Sequence, residues 1–123
     1  MSLVELDHLT YAYPAAQAPA LRDITAVLEP GLTLLAGASG SGKSSLLRLL
    51  DGLVPHFHGG RIAGRAQVAG HDVLRTPTRA LARHVGFVFQ DPERSFVYGT
   101  VEREVAFALE NTAVAPAEMH RRV

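Results

Sequence analysis

A chain of 123 residues, 47% of them apolar, is long enough for one small domain with a core and too apolar for a disordered tail. Twelve basic residues offset twelve acidic ones without a long block of either sign, which argues against a nucleic-acid partner, and no apolar run reaches the roughly eighteen residues of a membrane span. The lack of cysteine excludes disulfides, thiolate metal sites and a cysteine nucleophile, and the start Met1-Ser2-Leu3-Val4-Glu5 has no signal-peptide pattern, so a soluble cytoplasmic protein is expected.

Leu3 to Tyr11 alternates as a strand does, with Val4, Leu6 and His8 on one side and Glu5 and Asp7 on the other. Residues 14–19 have no periodicity and read as a loop. Ile24 to Leu28 is a second strand, which Glu29-Pro30-Gly31 turns into a third, Leu32 to Ala36. From Lys43 the period becomes helical. Leu46, Leu47, Leu50 and Leu53 share a face, Arg48 and Asp51 lie on the other, and Gly52 and Pro55 bracket the helix end. Ile62 to Val68 returns to strand alternation, with Arg65 and Gln67 outward. Thr78 is placed to cap a short helix running to about Arg83. Val85 to Phe89 is apolar throughout, the pattern of a strand covered on both faces. Thr100 caps a helix with Val101, Val105, Ala108 and Leu109 on one side and Glu102 in its first turn. Pro116 and Glu118 open a last helix.

The chemistry is concentrated in Gly37-Ala38-Ser39-Gly40-Ser41-Gly42-Lys43-Ser44, which fits the P-loop pattern at every fixed position and lies between an apolar strand and an amphipathic helix. Small residues let the backbone curl round a phosphate with its N–H groups turned inward, and the helix N-terminus adds partial positive charge. The amides of residues 40 to 45, including Ser45, are the expected phosphate donors. Lys43 brings a full charge to the outer phosphates, and the Ser44 hydroxyl suits a bridging Mg2+.

Other segments resemble the ATP-binding subunits of ABC transporters over nearly the whole chain. Leu9-Thr10-Tyr11-Ala12-Tyr13-Pro14 is similar to the loop whose aromatic stacks on adenine in that family, with Tyr13 the better match and Tyr11 the fallback. Val85 to Pro92 resembles the strand and Q-loop. The resemblance implies that Gln90 reaches the magnesium ion and the attacking water, and that it senses a transmembrane partner. Gln90-Asp91-Pro92-Glu93-Arg94-Ser95, with Thr100 to Phe107, Glu110-Asn111 and the Pro55-His56-Phe57-His58-Gly59-Gly60 loop, looks like the energy-coupling-factor group, importers of vitamins or of cobalt and nickel.

That resemblance implies an α/β fold: a P-loop NTPase core of the ABC ATPase type with an antiparallel β subdomain, truncated before the helical subdomain is complete. The P-loop lies at 37–44, the Q-loop at about 90–95 and the start of the helical subdomain at about 116. It implies ATP and Mg2+ as cofactors. The implied partners are a second ATPase subunit or domain, a transmembrane coupling subunit and a substrate-binding membrane protein, at the inner face of the cell membrane. Within the 123 residues there is no Leu-Ser-Gly-Gly-Gln-like signature, no Walker B strand ending in Asp-Glu and no switch histidine. The strands before the P-loop and before the Q-loop are not neighbours in that family, so the middle of the parallel sheet is expected to be missing. Binding without hydrolysis is therefore expected of this chain. A non-catalytic nucleotide- or partner-binding fragment is the rival reading, and a small P-loop kinase with Asp91 on magnesium a weaker one. His56 and His58 lack the further ligands of a metal site and read as a solvated pair. His8, His71, His84 and His120 show no pattern with one another, and Arg121-Arg122 reads as a solvated face.

Overall fold

Strand β1 (Val4–Ala12) pairs antiparallel with β2 (Leu21–Leu28) on one side and with β3 (Arg61–Val68) on the other, and β3 pairs with the short β4 (His71–Asp72). The computed structural model describes residues 2–123, which pack as two units, one reaching to Gly86 and one spanning Phe87–Val123. The sheet belongs to the first.

Val4 and Leu6 face the core as alternation predicts, but the next buried residues are Leu9 and Tyr11, three and five positions on. Strict alternation cannot do this; one extra residue can. His8 is that residue. It has φ 48, it is exposed rather than on the inner face, and the register shifts there against both neighbouring strands. On β2, Asp23 has φ 46, and its carboxylate meets the His8 ring at 2.7 Å. On β3, Gly64 has φ 84, and a Cβ there would stand 2.2 Å from the His8 carbonyl oxygen, so no larger residue fits. The bulge therefore crosses three strands. Thr10 and Thr25 stabilise it by accepting the Asp23 and His8 amide protons through their Oγ1 atoms.

The sheet's apolar face, with Val4, Leu6, Leu9, Tyr11, Leu21, Ala66 and Val68, shares one core with Leu49, Val54, Val73 and Leu81. Each fully buried Leu or Val contributes about 1.5–3 kcal/mol relative to exposure. Leu49 comes from α1 (Lys43–Leu50), whose buried positions are Ser45 and Leu49, with Leu46 and Leu50 half-buried. Leu47, expected inside, is 47% exposed, so the inner face is rotated by about one position from the sequence reading. Gly52, with φ 78, ends α1 and leads into α2 (Leu53–His56), a single turn in which Val54 is extended and fully buried. Val54-Pro55 is a cis peptide. The Nε2 of His56 bonds the Val73 carbonyl oxygen at 2.8 Å, so one ring nitrogen is tied to the backbone while His56 and His58 both stay exposed. Helix α3 (Thr78–Leu81) has Pro77 at its N-cap. Thr78 is its first helical residue, and its hydroxyl donates to the Gly52 carbonyl instead of capping. His71 and His84 do form a pair, with ring centroids 4.3 Å apart.

Residues 32–36 join no ladder among the described residues, and Leu32 and Leu34 are almost wholly exposed. Residues 85–89 join none either, and Val88 is 83% exposed. Both runs have strand composition, but a strand is stable only as part of a ladder.

The second unit holds a 3-10 turn (Pro92–Ser95), α4 (Val101–Asn111) and α5 (Pro116–Arg122). Thr100 is the N-cap of α4 but its side chain makes no capping bond. The Glu104 carboxylate instead accepts from the Val97 and Tyr98 amides at 2.9 and 2.8 Å. Val101, Val105 and Ala108 are exposed, while Leu109 is half-buried and Phe107 packs edge-on to Tyr98. In α5, Arg121 and then Arg122 bond Glu118 and hold its carboxyl below the usual range, so both arginines are ion-paired.

Candidate functional site

The end of the 37–44 loop is fixed by Gly42. Its φ of 99 is left-handed, and a Cβ there would lie 2.5 Å from the Ala20 carbonyl oxygen at the start of β2. The loop thus leaves the hairpin's flank and enters α1 in one step. Gly37, Ser39, Gly40 and Ser41 are exposed, and the Ser41 amide donates to the Ala38 carbonyl oxygen at 3.2 Å. The Lys43 Nζ donates to the carbonyl oxygens of Gly37 and Ala38, both at 2.7 Å, and to Ser41 Oγ at 3.3 Å. An ammonium has three protons, and the loop supplies three acceptors.

The first turn of α1 has no side-chain cap and no acidic residue. Its opening amides have no intrahelical partner, and they sit beside an ammonium at the positive end of the helix dipole. Ser44 is exposed in that turn and offers a hydroxyl. This donor set fits a polyphosphate, and the hydroxyl fits a hard cation such as magnesium.

Ser45 differs from its neighbours. Its side chain is buried, and Ser45 Oγ lies 3.0 Å from the Tyr13 hydroxyl, which leaves the Ser45 amide as its route to a phosphate. Tyr13 also accepts a hydrogen bond from Arg48 Nη1 at 3.3 Å, and its ring stands edge-on to Tyr11 at 5.0 Å. Tyr11 is fully buried, with its hydroxyl donating to the Gly59 carbonyl oxygen at 2.6 Å. So the structure brings Tyr13, Ser45 and the loop-bearing helix together. Arg48 was missed as a member of this group. Its signal was position: Ser45 and Arg48 are i and i+3, and so share a face of α1. Gln90 belongs to the second unit, exposed in a bend just before the 3-10 turn that carries Glu93. Among the described residues, no cluster of three or more His, Asp or Glu side chains could hold a metal ion by itself, and no helix is long and apolar enough to cross a membrane.

The sequence profile of the ABC transporter family matches residues 21–122. A protein named as an ABC transporter ATP-binding protein in Streptomyces avermitilis is 43% identical over 122 residues, which is 98% of this chain and 22% of that protein. The energy-coupling factor transporter ATP-binding protein EcfA1 of Levilactobacillus brevis is 39% identical over 123 residues, 99% of this chain and 42% of that one. Among solved structures, cbiO1 from Clostridium perfringens, part of the ABC transporter complex cbiONQ, matches with a TM-score of 0.77 at 25% identity, over 98% of this chain and 47% of its own. The chain spans less than half the length of each of these relatives.

Proposed function

Since the chain belongs to the ABC transporter family and has part of the ABC ATPase fold, we propose that residues 37–45 hold the phosphates of ATP and that Tyr13 takes its adenine. The observation that carries this reading is the Lys43 ammonium, fixed on the Gly37 and Ala38 carbonyls beside the uncapped first turn of α1. The Lys43 charge and the amides of residues 40 to 45 would hold the phosphates. Ser44 would hold Mg2+, and so would Gln90, on the resemblance of its segment to a Q-loop. When bound, the ion neutralises charge on the phosphoryl oxygens.

The function of the larger protein is proposed to be ATP hydrolysis coupled to import of a vitamin or metal ion. The likeness to EcfA1 and to cbiO1 supports this. The proposed partners are a second ATPase subunit or domain, a transmembrane coupling subunit and a substrate-binding membrane protein, with the ATPase lying on the inner face of the membrane. Residues 37–44, 90–95 and 116 onward are proposed as P-loop, Q-loop and start of the helical subdomain. The family match sets aside the kinase reading of Asp91.

The 123 residues themselves are proposed to bind ATP without turning it over. Phosphoryl transfer to water needs a group that orients the nucleophile. Asp91 and Glu93, the acidic residues nearest Gln90, flank Pro92 at the 3-10 turn and match no such role. Calorimetry with MgATP tests the binding. Lys43→Ala should weaken it by roughly 1.5–3 kcal/mol, the scale of a hydrogen bond to a charged group. Unchanged affinity would remove the phosphate assignment. The same variant serves as the control for turnover, and phosphate release by the unaltered chain should not exceed it.

A further inference from the structure

We propose that Arg48 is a positioning residue for nucleotide binding: with Ser45 it holds the hydroxyl of Tyr13 and so fixes the aromatic platform relative to the helix that carries the phosphate loop. This rests on the reading of Tyr13 as the base platform. Tyr13 follows the last residue of β1 and leads into the 14–19 segment, so the ladder does not restrain its ring. Three contacts do. One is the edge-on packing against the buried Tyr11, and two are hydrogen bonds from α1, to Ser45 Oγ at 3.0 Å and from Arg48 Nη1 at 3.3 Å.

The two α1 residues lie two and five positions after Lys43 in the sequence. A single helical turn therefore links the platform to the phosphate cradle. A guanidinium only donates, so Tyr13 Oη accepts from Arg48 and can pass its own proton to Ser45 Oγ, which uses each donor once. Side chains at i and i+3 on a helix are neighbours on one face, so both reach the same hydroxyl from one rigid element. The distance from base platform to phosphate site is thus set by α1 rather than by the mobility of a loop. A ligand with a base attached to its phosphates responds to this distance, and a ligand of phosphates alone does not.

The test is calorimetric titration of the 123-residue chain and its variants with MgATP and with magnesium tripolyphosphate. Arg48→Met should weaken ATP binding about five-fold, the worth of one ordinary hydrogen bond, and lower the ratio of ATP to tripolyphosphate affinity by the same factor. Arg48→Lys, which restores a donor, should recover most of the loss. In a Tyr13→Phe background, where the hydroxyl is gone, Arg48→Met should add nothing further. Equal losses for both ligands, or an undiminished Arg48→Met effect in that background, would overturn the proposal. If Arg48→Met fails to fold, Tyr13→Phe removes the Arg48 bond together with the Ser45 one, and an unaltered ratio there overturns it too. Tyr13→Ala separates the two readings. If that variant binds ATP like the parent chain, the platform assignment itself is wrong. If it loses affinity while Arg48→Met does not, only the positioning role falls.

Discussion

Asp51 closes α1 with only 9% of its surface exposed, at the helix end where the backbone carbonyls already carry partial negative charge. Burial raises its pKa above the ordinary carboxylate value, because the ionised form is the one that loses hydration. A raised folded pKa means that this residue's contribution to stability is present in full below its unfolded pKa and is lost as pH rises through the folded value. At neutral pH the charge therefore opposes folding. Asp51→Asn is expected to raise the melting temperature at pH 7 by something on the order of a few degrees. The gain should shrink as pH falls through the raised folded value of Asp51 toward the ordinary carboxylate range, because the unsubstituted residue then takes up its proton. A lower melting temperature for Asp51→Asn at pH 7 would mean that the carboxylate serves a stabilising contact. Single residues were also where the sequence was hardest to read. His8 breaks the alternation of β1 because of a backbone angle that no hydropathy pattern encodes. Helical periodicity places Arg48 only on the face opposite the leucines, and nothing in that pattern points to its bond with Tyr13.

The start of α4 shows how an element can use a cap other than the one its composition suggests. Thr100 has the extended backbone of an N-cap and an oxygen to offer, yet Glu104 does the work by reaching back to two amides ahead of the helix. That anchors Tyr98, whose ring then meets Phe107 and lies under Arg103 at 5.6 Å. Glu104→Ala should release the Val97 and Tyr98 amides. Their hydrogen exchange should speed up about ten-fold, as loss of a charge-assisted bond worth roughly 1.5 kcal/mol implies. Unchanged exchange at both would show that the turn is held by the aromatic contact alone. Helices and the antiparallel strands were legible because their patterns are local and their partners lie within the chain. Leu32–Ala36 and Val85–Phe89 have the composition of strands and form none, since composition cannot supply a neighbour to bond with. The phosphate loop was the most legible feature, because its residues answer to backbone geometry and charge within eight consecutive positions. The Tyr13 contacts join residues more than thirty apart and could not be read that way.

At the scale of the molecule, packing is unevenly shared. Among the described residues every buried apolar side chain lies between Val4 and Leu81, whereas the 3-10 turn, α4 and α5 contain none. The proposed phosphate loop leads into α1 of the well-packed part, while the family match runs over both parts, from residue 21 to 122. The segment from Phe87 onward relies on a few surface contacts, Glu104 with its two amides and Glu118 with its two arginines. Local opening costs least where little apolar surface is buried. Brief digestion with trypsin should therefore cut first at Arg94 or Arg103 and leave a resistant piece that contains Arg22, Arg61 and Arg65 intact, as mass spectrometry of the early fragments would show. First cuts at those three strand arginines would contradict this. The uneven core thus becomes an order of events: under proteolysis the chain is expected to be shortened from its later segment inward, with the bulged strands among the last parts to be lost.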